Sequence, residues 1–189
     1  MSKKADDYAR ALLGRADCLY TADEVSAAIA RLTEPLERDI GGANPLILVV
    51  MQGGLFFAGQ LLQKLSFPLE MNYVDVSRYG SEVAGGKQLR WRRDVPEGVR
   101  NRSVLLVDDI LDEGITLNAI RDRTLQLGAS DVRIAVLAEK CRNRAMPISA
   151  DYTALTVPDR FVFGSGMDVR GLWRHLPGIY AVSDGDLQG

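Results

Sequence analysis

Continuous apolar stretches of strand length alternate along this chain with segments in which apolar residues recur at helical spacing. The stretches that would form strands cover residues 45–50, 103–107 and 132–138. Helical patterns follow Gly53-Gly54 and Thr116. Strands that are apolar at every position are typical of parallel sheets that helices cover on both faces. We therefore predict a single α/β domain whose twisted, mainly parallel sheet is flanked by helices.

Caps and turn residues indicate where other elements begin and end. Thr21 and Glu24 have the spacing of a capping box, and Pro35 is expected to kink or split the helix that follows them. Further strand candidates cover residues 69–76, 152–157, 161–163 and 179–182. Residues 77–93 are polar, charged and without a clear period. A loop of that length in a compact domain is usually a functional lid or disordered.

Composition and charge exclude several classes of partner. Apolar residues make up 47% of the chain and charged residues 25%, which is the balance of a globular protein. The net charge is −2, without the basic excess that phosphate-backbone binding to nucleic acid requires. No apolar run approaches the roughly 20 residues that span a bilayer, and no signal-peptide pattern is visible. We therefore expect a cytoplasmic protein that binds neither nucleic acid nor a membrane.

The chemistry must come from carboxylates, hydroxyls, backbone amides and basic side chains, because the sequence has one histidine and two cysteines. The stretch 103–107 leads directly into Asp108-Asp109, and Asp112, Gly114 and Thr116 follow. Ligands of open parallel sheets bind at the carboxyl ends of the strands. A helix that begins at Thr116 suits a phosphate, whereas the carboxylates suit sugar hydroxyls or Mg²⁺. The pattern indicates a ligand with an anionic end and a hydroxyl-rich, cation-associated end.

The segment from 104 to 116 resembles the phosphoribosyl pyrophosphate (PRPP) loop of the type I phosphoribosyltransferases and, within them, of the hypoxanthine-guanine enzymes. The resemblance extends over about residues 46–182 through four motifs in the family's order. It implies the type I phosphoribosyltransferase fold, with a core of about residues 40–140. A small hood subdomain would come from the chain ends, about residues 1–20 and 150–189. It also implies a homodimer or homotetramer.

The reaction implied by the resemblance is Mg²⁺-dependent purine salvage. The phosphoribosyl group of PRPP would pass to N9 of hypoxanthine or guanine, giving IMP or GMP and pyrophosphate. By resemblance, Asp108 and Asp109 bind the ribose hydroxyls and the metal. Asp112 takes or shares the proton of purine N7 and is the candidate general base.

The 5-phosphate site is implied to comprise the backbone from Asp112 through Glu113, Gly114 and Ile115 to Thr116, whose hydroxyl also contributes. Here the sequence departs from the common pattern. Glu113 and Ile115 stand where a hydroxyl residue and often a polar or basic residue occur. Their amides can still serve, but the Glu113 side chain must point away from the phosphate.

The pyrophosphate loop, residues 51–54, is the second motif of the resemblance. Gln52 and Gly53 would bind pyrophosphate together with Arg174, and the peptide bond before Gln52 is implied to be cis. Arg78 and Tyr79 match the start of the mobile lid that closes over the reacting centre. The family often has a serine at the position of Arg78, so Arg78 either adds a pyrophosphate contact or points to solvent.

The purine pocket is the remaining element of the resemblance. Lys140 matches the lysine that donates to purine O6, which favours a 6-oxopurine and disfavours adenine. Phe161 would stack on the base, and the Val162 backbone would bind its exocyclic edge. Asp168 would support a second Mg²⁺ and lie near the 2-position of the base.

Four alternatives compete with this interpretation. A response-regulator receiver is excluded, because too few residues follow Asp108. A pyrimidine enzyme lacks support, since the combination of Lys140 and Phe161 is the purine arrangement. A regulator of this fold that binds nucleotide or PRPP without turnover, and a xanthine-preferring enzyme, both stay open.

Overall fold

Two β-sheets and the helices around them make up the structure, a computed structural model that describes residues 3–79, 88–142, 146–183 and 185–186. The strands are β1 (Asp17–Tyr20), β2 (Leu46–Met51), β3 (Glu70–Tyr79), β4 (Gln88–Arg93), β5 (Ser103–Leu111), β6 (Asp131–Lys140), β7 (Tyr152–Val157), β8 (Phe161–Phe163) and β9 (Ile179–Val182). The α-helices are α1 (Lys3–Arg15), α2 (Ala22–Ala30), α3 (Thr33–Ile40), α4 (Gly54–Leu62) and α5 (Ile115–Gln126).

The larger sheet has the strand order β4-β3-β2-β5-β6-β7 within the described residues. Neighbouring strands are parallel, except that β3 and β4 pair antiparallel at one edge. The predicted α/β fold with a mainly parallel sheet is confirmed. Because β2, β3 and β5 are parallel neighbours, their carboxyl ends meet at one edge of the sheet, where loops can form a site.

The central strands are apolar at every core position because both of their faces are buried. Along β2, Ile47 and Val49 join the core beneath α2, α3 and α4, whereas Leu48 and Val50 join the core beneath α5. Consecutive strand residues point to opposite faces, so an unbroken apolar run is needed to fill both cores. Each fully buried aliphatic side chain contributes roughly 1.5–3 kcal/mol, which holds the strand ends in fixed positions.

The smaller sheet brings β1, early in the chain, together with β8 and β9, late in the chain. We call this sheet, with α1, the hood. Its strand order is β1-β9-β8, with both pairs antiparallel. Leu12 of α1 packs with Phe163 and Val182 in the hood core. Trp173 Nε1 donates a hydrogen bond of 2.9 Å to the carbonyl oxygen of Ala9. Apolar packing and a hydrogen bond therefore hold α1 against the rest of the hood.

Several element boundaries differ from the sequence prediction. The residues predicted as a loop, 77–93, include the end of β3 and all of β4. Leu89 and Trp91 pack against the core on either side of Arg90, but two apolar residues are too few to identify a strand from the pattern alone. Charged side chains are common on an edge strand, where they discourage pairing with another sheet.

Other strand boundaries differ from the sequence prediction by a few residues, which changes where several site residues lie. β5 continues through Leu111, so Asp108 and Asp109 are strand residues and not loop residues. Lys140 is the last residue of β6 and does not follow it. β7, inside the range expected for the hood, is an edge strand of the larger sheet.

The helical predictions were correct at Pro35, which lies in the first turn of α3, where the helix separates from α2. The capping box of Thr21 and Glu24 is present at the start of α2. Helix α1 and strand β1 were not predicted. Among the residues that the structure describes, no helix is long and apolar enough to cross a membrane.

Candidate active site

A cleft of about 360 Å³ opens where the carboxyl ends of β2, β3 and β5 meet the start of α5. Arg174 closes it from the side of the hood. The cleft brings together predicted site residues from four parts of the sequence: Gln52, Gly53, Arg78, Asp108, Asp109, Asp112, Gly114, Thr116 and Arg174.

The acidic pair, Asp108 and Asp109, lies at the floor of the cleft with 8% of each residue exposed. The backbone N–H of Asp109 donates a hydrogen bond of 2.9 Å to Asp108 Oδ1. Burial, followed by the neighbouring carboxylate, raises the pKa of Asp108 well above its ordinary value. Burial also raises the pKa of Asp109. Two adjacent buried carboxylates are unfavourable when both are ionised, so the pair is suited to a bound cation or to hydroxyl donors.

Glycines allow the pyrophosphate loop and the hood to lie directly against the acidic pair. A Cβ atom on Gly53 would overlap the Asp109 carboxylate, and one on Gly166 would overlap the carbonyl oxygen of Gly53. Gly166 also has a φ of +109°, which other residues rarely adopt. The peptide bond between Met51 and Gln52 is cis, as the resemblance implies.

The start of α5 lines the cleft beside the acidic pair. Gly114 precedes the helix with a φ of +80°, and its carbonyl oxygen accepts a hydrogen bond of 2.9 Å from Asn118 N. The first N–H groups of a helix have no acceptor within it, and its N-terminus carries partial positive charge. This end of α5 is therefore suited to a phosphate.

Arg78 connects the end of β3 to the start of α5. Its Nη1 atom donates a hydrogen bond to Glu113 Oε2, and its Nε atom lies 3.4 Å from Thr116 Oγ1. Arg78 and Glu113, two of the residues at which the sequence departs from the family pattern, are thus paired with each other. Arg78 therefore lines the cleft and does not simply point to solvent, while the pyrophosphate contact stays a prediction.

Arg174 lies between two carboxylates on the opposite side of the cleft. Its Nη2 atom is 2.5 Å from Asp168 Oδ1, and its Nη1 atom is 4.0 Å from Asp109 Oδ2. Nη1 also donates a hydrogen bond of 2.6 Å to the carbonyl oxygen of Gly166. The arginine charge opposes the rise in the pKa of Asp109.

Asp112 is held by two basic side chains at the mouth of the cleft. Lys140 Nζ lies 3.0 Å from Asp112 Oδ2, and Arg142 Nη1 lies 3.1 Å from Asp112 Oδ1. Arg142 also contacts Asp159 Oδ1 at 3.2 Å. Sequence reasoning missed Arg142, whose only available signal was its position two residues after Lys140.

Some predicted site residues lie elsewhere in the structure. Phe161 is partly buried and packs against the hood core, and the Val162 side chain is buried beneath the larger sheet. Neither lines the cleft described above. Tyr79 ends β3, and its side chain is outside the described residues. Ile115 is the first residue of α5.

Comparison with known proteins agrees with this architecture. The family model for the phosphoribosyl transferase domain matches residues 16–170. The chain belongs to the phosphoribosyltransferase family. A hypoxanthine-guanine phosphoribosyltransferase of Streptococcus pneumoniae is 35% identical over 161 residues, which cover 85% of this chain and 89% of the relative.

Solved phosphoribosyltransferase structures share the fold. A hypoxanthine phosphoribosyltransferase from Staphylococcus aureus superposes with a TM-score of 0.85 at 26% identity, covering 92% of this chain and 94% of the other. A hypoxanthine-guanine-xanthine phosphoribosyltransferase gives a TM-score of 0.79 at 27% identity, covering 89% and 97%. The predicted membership in the type I phosphoribosyltransferases, and in their hypoxanthine-guanine group, is confirmed, and so is the prediction of a transferase.

The donor set of this phosphoribosyltransferase includes carboxylates that fit a magnesium ion. Carboxylate oxygens are the protein ligands that Mg²⁺ prefers, and Mg²⁺ commonly uses one or two of them together with substrate phosphates and water. Asp108 and Asp109 supply adjacent carboxylates whose ionised forms a cation would stabilise. No cluster of three acidic, histidine or cysteine ligands occurs among the described residues.

The raised pKa of Asp108 predicts that this residue destabilises the ligand-free fold. Because the native state disfavours the ionised carboxylate, the cost is present at pH values above the native pKa and disappears as the pH falls and the carboxyl takes up a proton. We expect Asp108→Asn to raise the melting temperature at pH 8, on a scale of about 2–4 °C per kcal/mol, and to raise it less at pH 5.

Asp94 is the matched control for this measurement. A hydrogen bond from Arg123 lowers the pKa of Asp94, so Asp94→Asn should lower the melting temperature at pH 8. Calorimetry of both variants at pH 5 and pH 8 measures whether each substitution raises or lowers the melting temperature. A gain for Asp108→Asn that is equal at pH 5 and pH 8 would show that the buried charge is not its cause.

Proposed function

We propose that the chain transfers the phosphoribosyl group of PRPP to N9 of hypoxanthine or guanine, giving IMP or GMP and pyrophosphate. The observation that carries this proposal is the contact of 3.0 Å between Lys140 Nζ and Asp112 Oδ2. It places a permanent hydrogen-bond donor beside an acceptor. A 6-oxopurine carries an acceptor, O6, and an N7–H donor on one edge of its ring system. Adenine would place its 6-amino group against the Lys140 ammonium, so two donors would face each other with no acceptor between them.

The ribose and both phosphate-bearing ends of PRPP would occupy the cleft. The carboxylates of Asp108 and Asp109 would accept hydrogen bonds from the ribose 2- and 3-hydroxyls. The start of α5 would bind the 5-phosphate through backbone N–H groups and the Thr116 hydroxyl. Gln52, Gly53 and Arg174 would hold pyrophosphate, which places positive charge where the leaving group gains negative charge.

Magnesium is proposed as the cofactor, held by Asp108 and Asp109, with Asp168 supporting a second ion. Once bound, it would neutralise charge on the pyrophosphate oxygens. Asp168 would have to exchange its ion pair with Arg174 for such a role, since the two lie 2.5 Å apart. The arginine would then be free to contact pyrophosphate.

Asp112 would hold the N7 proton while N9 forms its bond to the ribose carbon. As the purine loses electron density to that bond, N7–H becomes more acidic, and a carboxylate there stabilises the developing positive charge. Arg142 holds the second Asp112 oxygen at 3.1 Å and would keep the carboxylate oriented. Phe161 and Val162 would contribute to the purine pocket only from outside the cleft, through stacking and backbone contacts.

Self-association into a homodimer or homotetramer and a cytoplasmic location are parts of the same proposal. The free, exposed thiols of Cys18 and Cys141 suit a reducing compartment. Exposed apolar side chains on α4 and β3, among them Leu55 and Met71, support contact with a second copy of this chain.

The reaction is tested with PRPP, Mg²⁺ and each of five bases, hypoxanthine, guanine, xanthine, adenine and uracil, followed by ultraviolet absorbance. Turnover of hypoxanthine and guanine, with adenine and uracil inactive, supports the proposal. Turnover of xanthine above both would favour the xanthine-preferring alternative. Absence of turnover together with tight GMP binding would favour a regulator without catalysis.

Replacing the candidate base tests its role directly. We expect Asp112→Asn to lower kcat by about 10²–10⁴-fold, because the N7 proton loses its acceptor, while KM for PRPP changes little. Asp159→Asn is the control, since it removes the other carboxylate partner of Arg142 but leaves Asp112 in place. A fall in kcat of less than a few-fold for Asp112→Asn would refute the base assignment.

Replacing Lys140 tests the recognition of O6. We expect Lys140→Ala to raise KM for hypoxanthine and guanine by about 10–100-fold, the value of one charge-assisted hydrogen bond. Steady-state kinetics with each base measure this change. Arg142→Ala, which removes the other basic partner of Asp112, should leave purine KM nearly unchanged. Equal effects of the two variants would mean that Lys140 acts only through Asp112.

A further inference from the structure

The contacts of Arg78 connect β3 to the proposed 5-phosphate site. Arg78 is the penultimate residue of β3, and its side chain lines the cleft. Its guanidinium reaches both the residue before Gly114 and the hydroxyl of Thr116 at the start of α5. An anion bound by the first turn of α5 would therefore lie beside the guanidinium.

The carboxylates that precede α5 need basic partners if a phosphate is to bind at the start of this helix. Asp112 and Glu113 place two carboxylates immediately before the helix start that is suited to a phosphate. Asp112 is neutralised by Lys140 and Arg142. The corresponding basic partner of Glu113 is Arg78. Without it, a Glu113 carboxylate would repel a phosphate at this position.

The guanidinium can hold both groups at once. Arginine has five N–H donors in a planar arrangement that matches the oxygens of carboxylate and phosphate. Nη1 donates to Glu113 and Nε donates to Thr116. Arg78 could thus shift its donors toward a phosphate while Glu113 limits where the side chain moves.

We propose that Arg78 is a ligand of the 5-phosphate of PRPP and of the product nucleotide, and that Glu113 positions Arg78 for this contact. The inference rests on the proposed function, because it requires a phosphorylated sugar at the start of α5. It assigns Arg78 to the 5-phosphate and not to pyrophosphate, which Gln52 and Arg174 would hold on the other side of the acidic pair.

Isothermal titration with GMP and with magnesium pyrophosphate separates these assignments without turnover. We expect Arg78→Gln to weaken GMP binding by about tenfold or more, because a charge-assisted contact is lost. Binding of magnesium pyrophosphate should stay within twofold. Arg78→Lys should give an intermediate GMP affinity, since it keeps the charge but not the planar donors.

The same substitution in a Glu113→Gln background distinguishes direct contact from simple neutralisation. We expect Arg78→Gln to weaken GMP binding in this background too. Arg123→Gln, which breaks an exposed ion pair with Asp94 outside the cleft, is the control and should leave GMP affinity unchanged. Melting temperatures of all variants identify any loss of folding.

Three results would overturn the inference. One is a loss of pyrophosphate binding without a loss of GMP binding. Another is GMP affinity that no longer depends on Arg78 once Glu113 is glutamine, which would reduce the arginine to a neutralising role. The third is failure of the unaltered chain to bind GMP, which would contradict the proposed function as well. Absence of turnover alone, with GMP binding that depends on Arg78, would contradict only catalysis.

Discussion

The electrostatic cost of burying Asp108 beside Asp109 determines how the rest of the site is built. The apolar cores on both faces of the sheet hold the end of β5 away from water, so the two carboxylates have little solvent to stabilise their charge. Burial raises the pKa of both groups in the absence of ligand. A substrate that brings hydroxyl donors and a divalent cation relieves this cost, and the relief becomes binding free energy.

Basic residues from different elements surround this pair, and each is already matched with a carboxylate. Arg174 of the hood contacts Asp168, Arg78 of β3 contacts Glu113, and Lys140 of β6 contacts Asp112. In the proposed complex, phosphate oxygens would share Arg78 with Glu113 and the purine would share Lys140 with Asp112, so only Arg174 would exchange its carboxylate partner, Asp168, for pyrophosphate. The site is thus organised before substrate arrives, which limits the reorganisation needed during reaction.

The sequence predicted the parts of the fold that depend on local pattern. The unbroken apolar stretches identified β2, β5 and β6, and the order of acids, glycine and hydroxyl identified the start of α5. Local pattern could not predict β4, in which only two apolar residues alternate with charged ones, nor α1, which is held largely by packing with β8 and β9 far along the chain. The pairing of Arg78 with Glu113 was equally hidden, because it depends on the fold placing β3 and β5 on either side of β2, which brings together residues 35 positions apart in the sequence. Arg142 belongs to none of the sequence motifs, and only the fold brings it into contact with Asp112.

Burial raises the pKa of Asp108 without ligand, and we expect substrate to lower it again. Carbon-13 NMR of protein labelled at aspartate carboxyl groups follows this titration directly, with Asp108→Asn providing the assignment. We predict that the Asp108 carboxyl titrates above the ordinary aspartate range near about 3.9 in the free protein, and that its pKa falls when PRPP and Mg²⁺ bind. Titration of Asp108 in the range of exposed aspartates, unchanged by substrate, would contradict it.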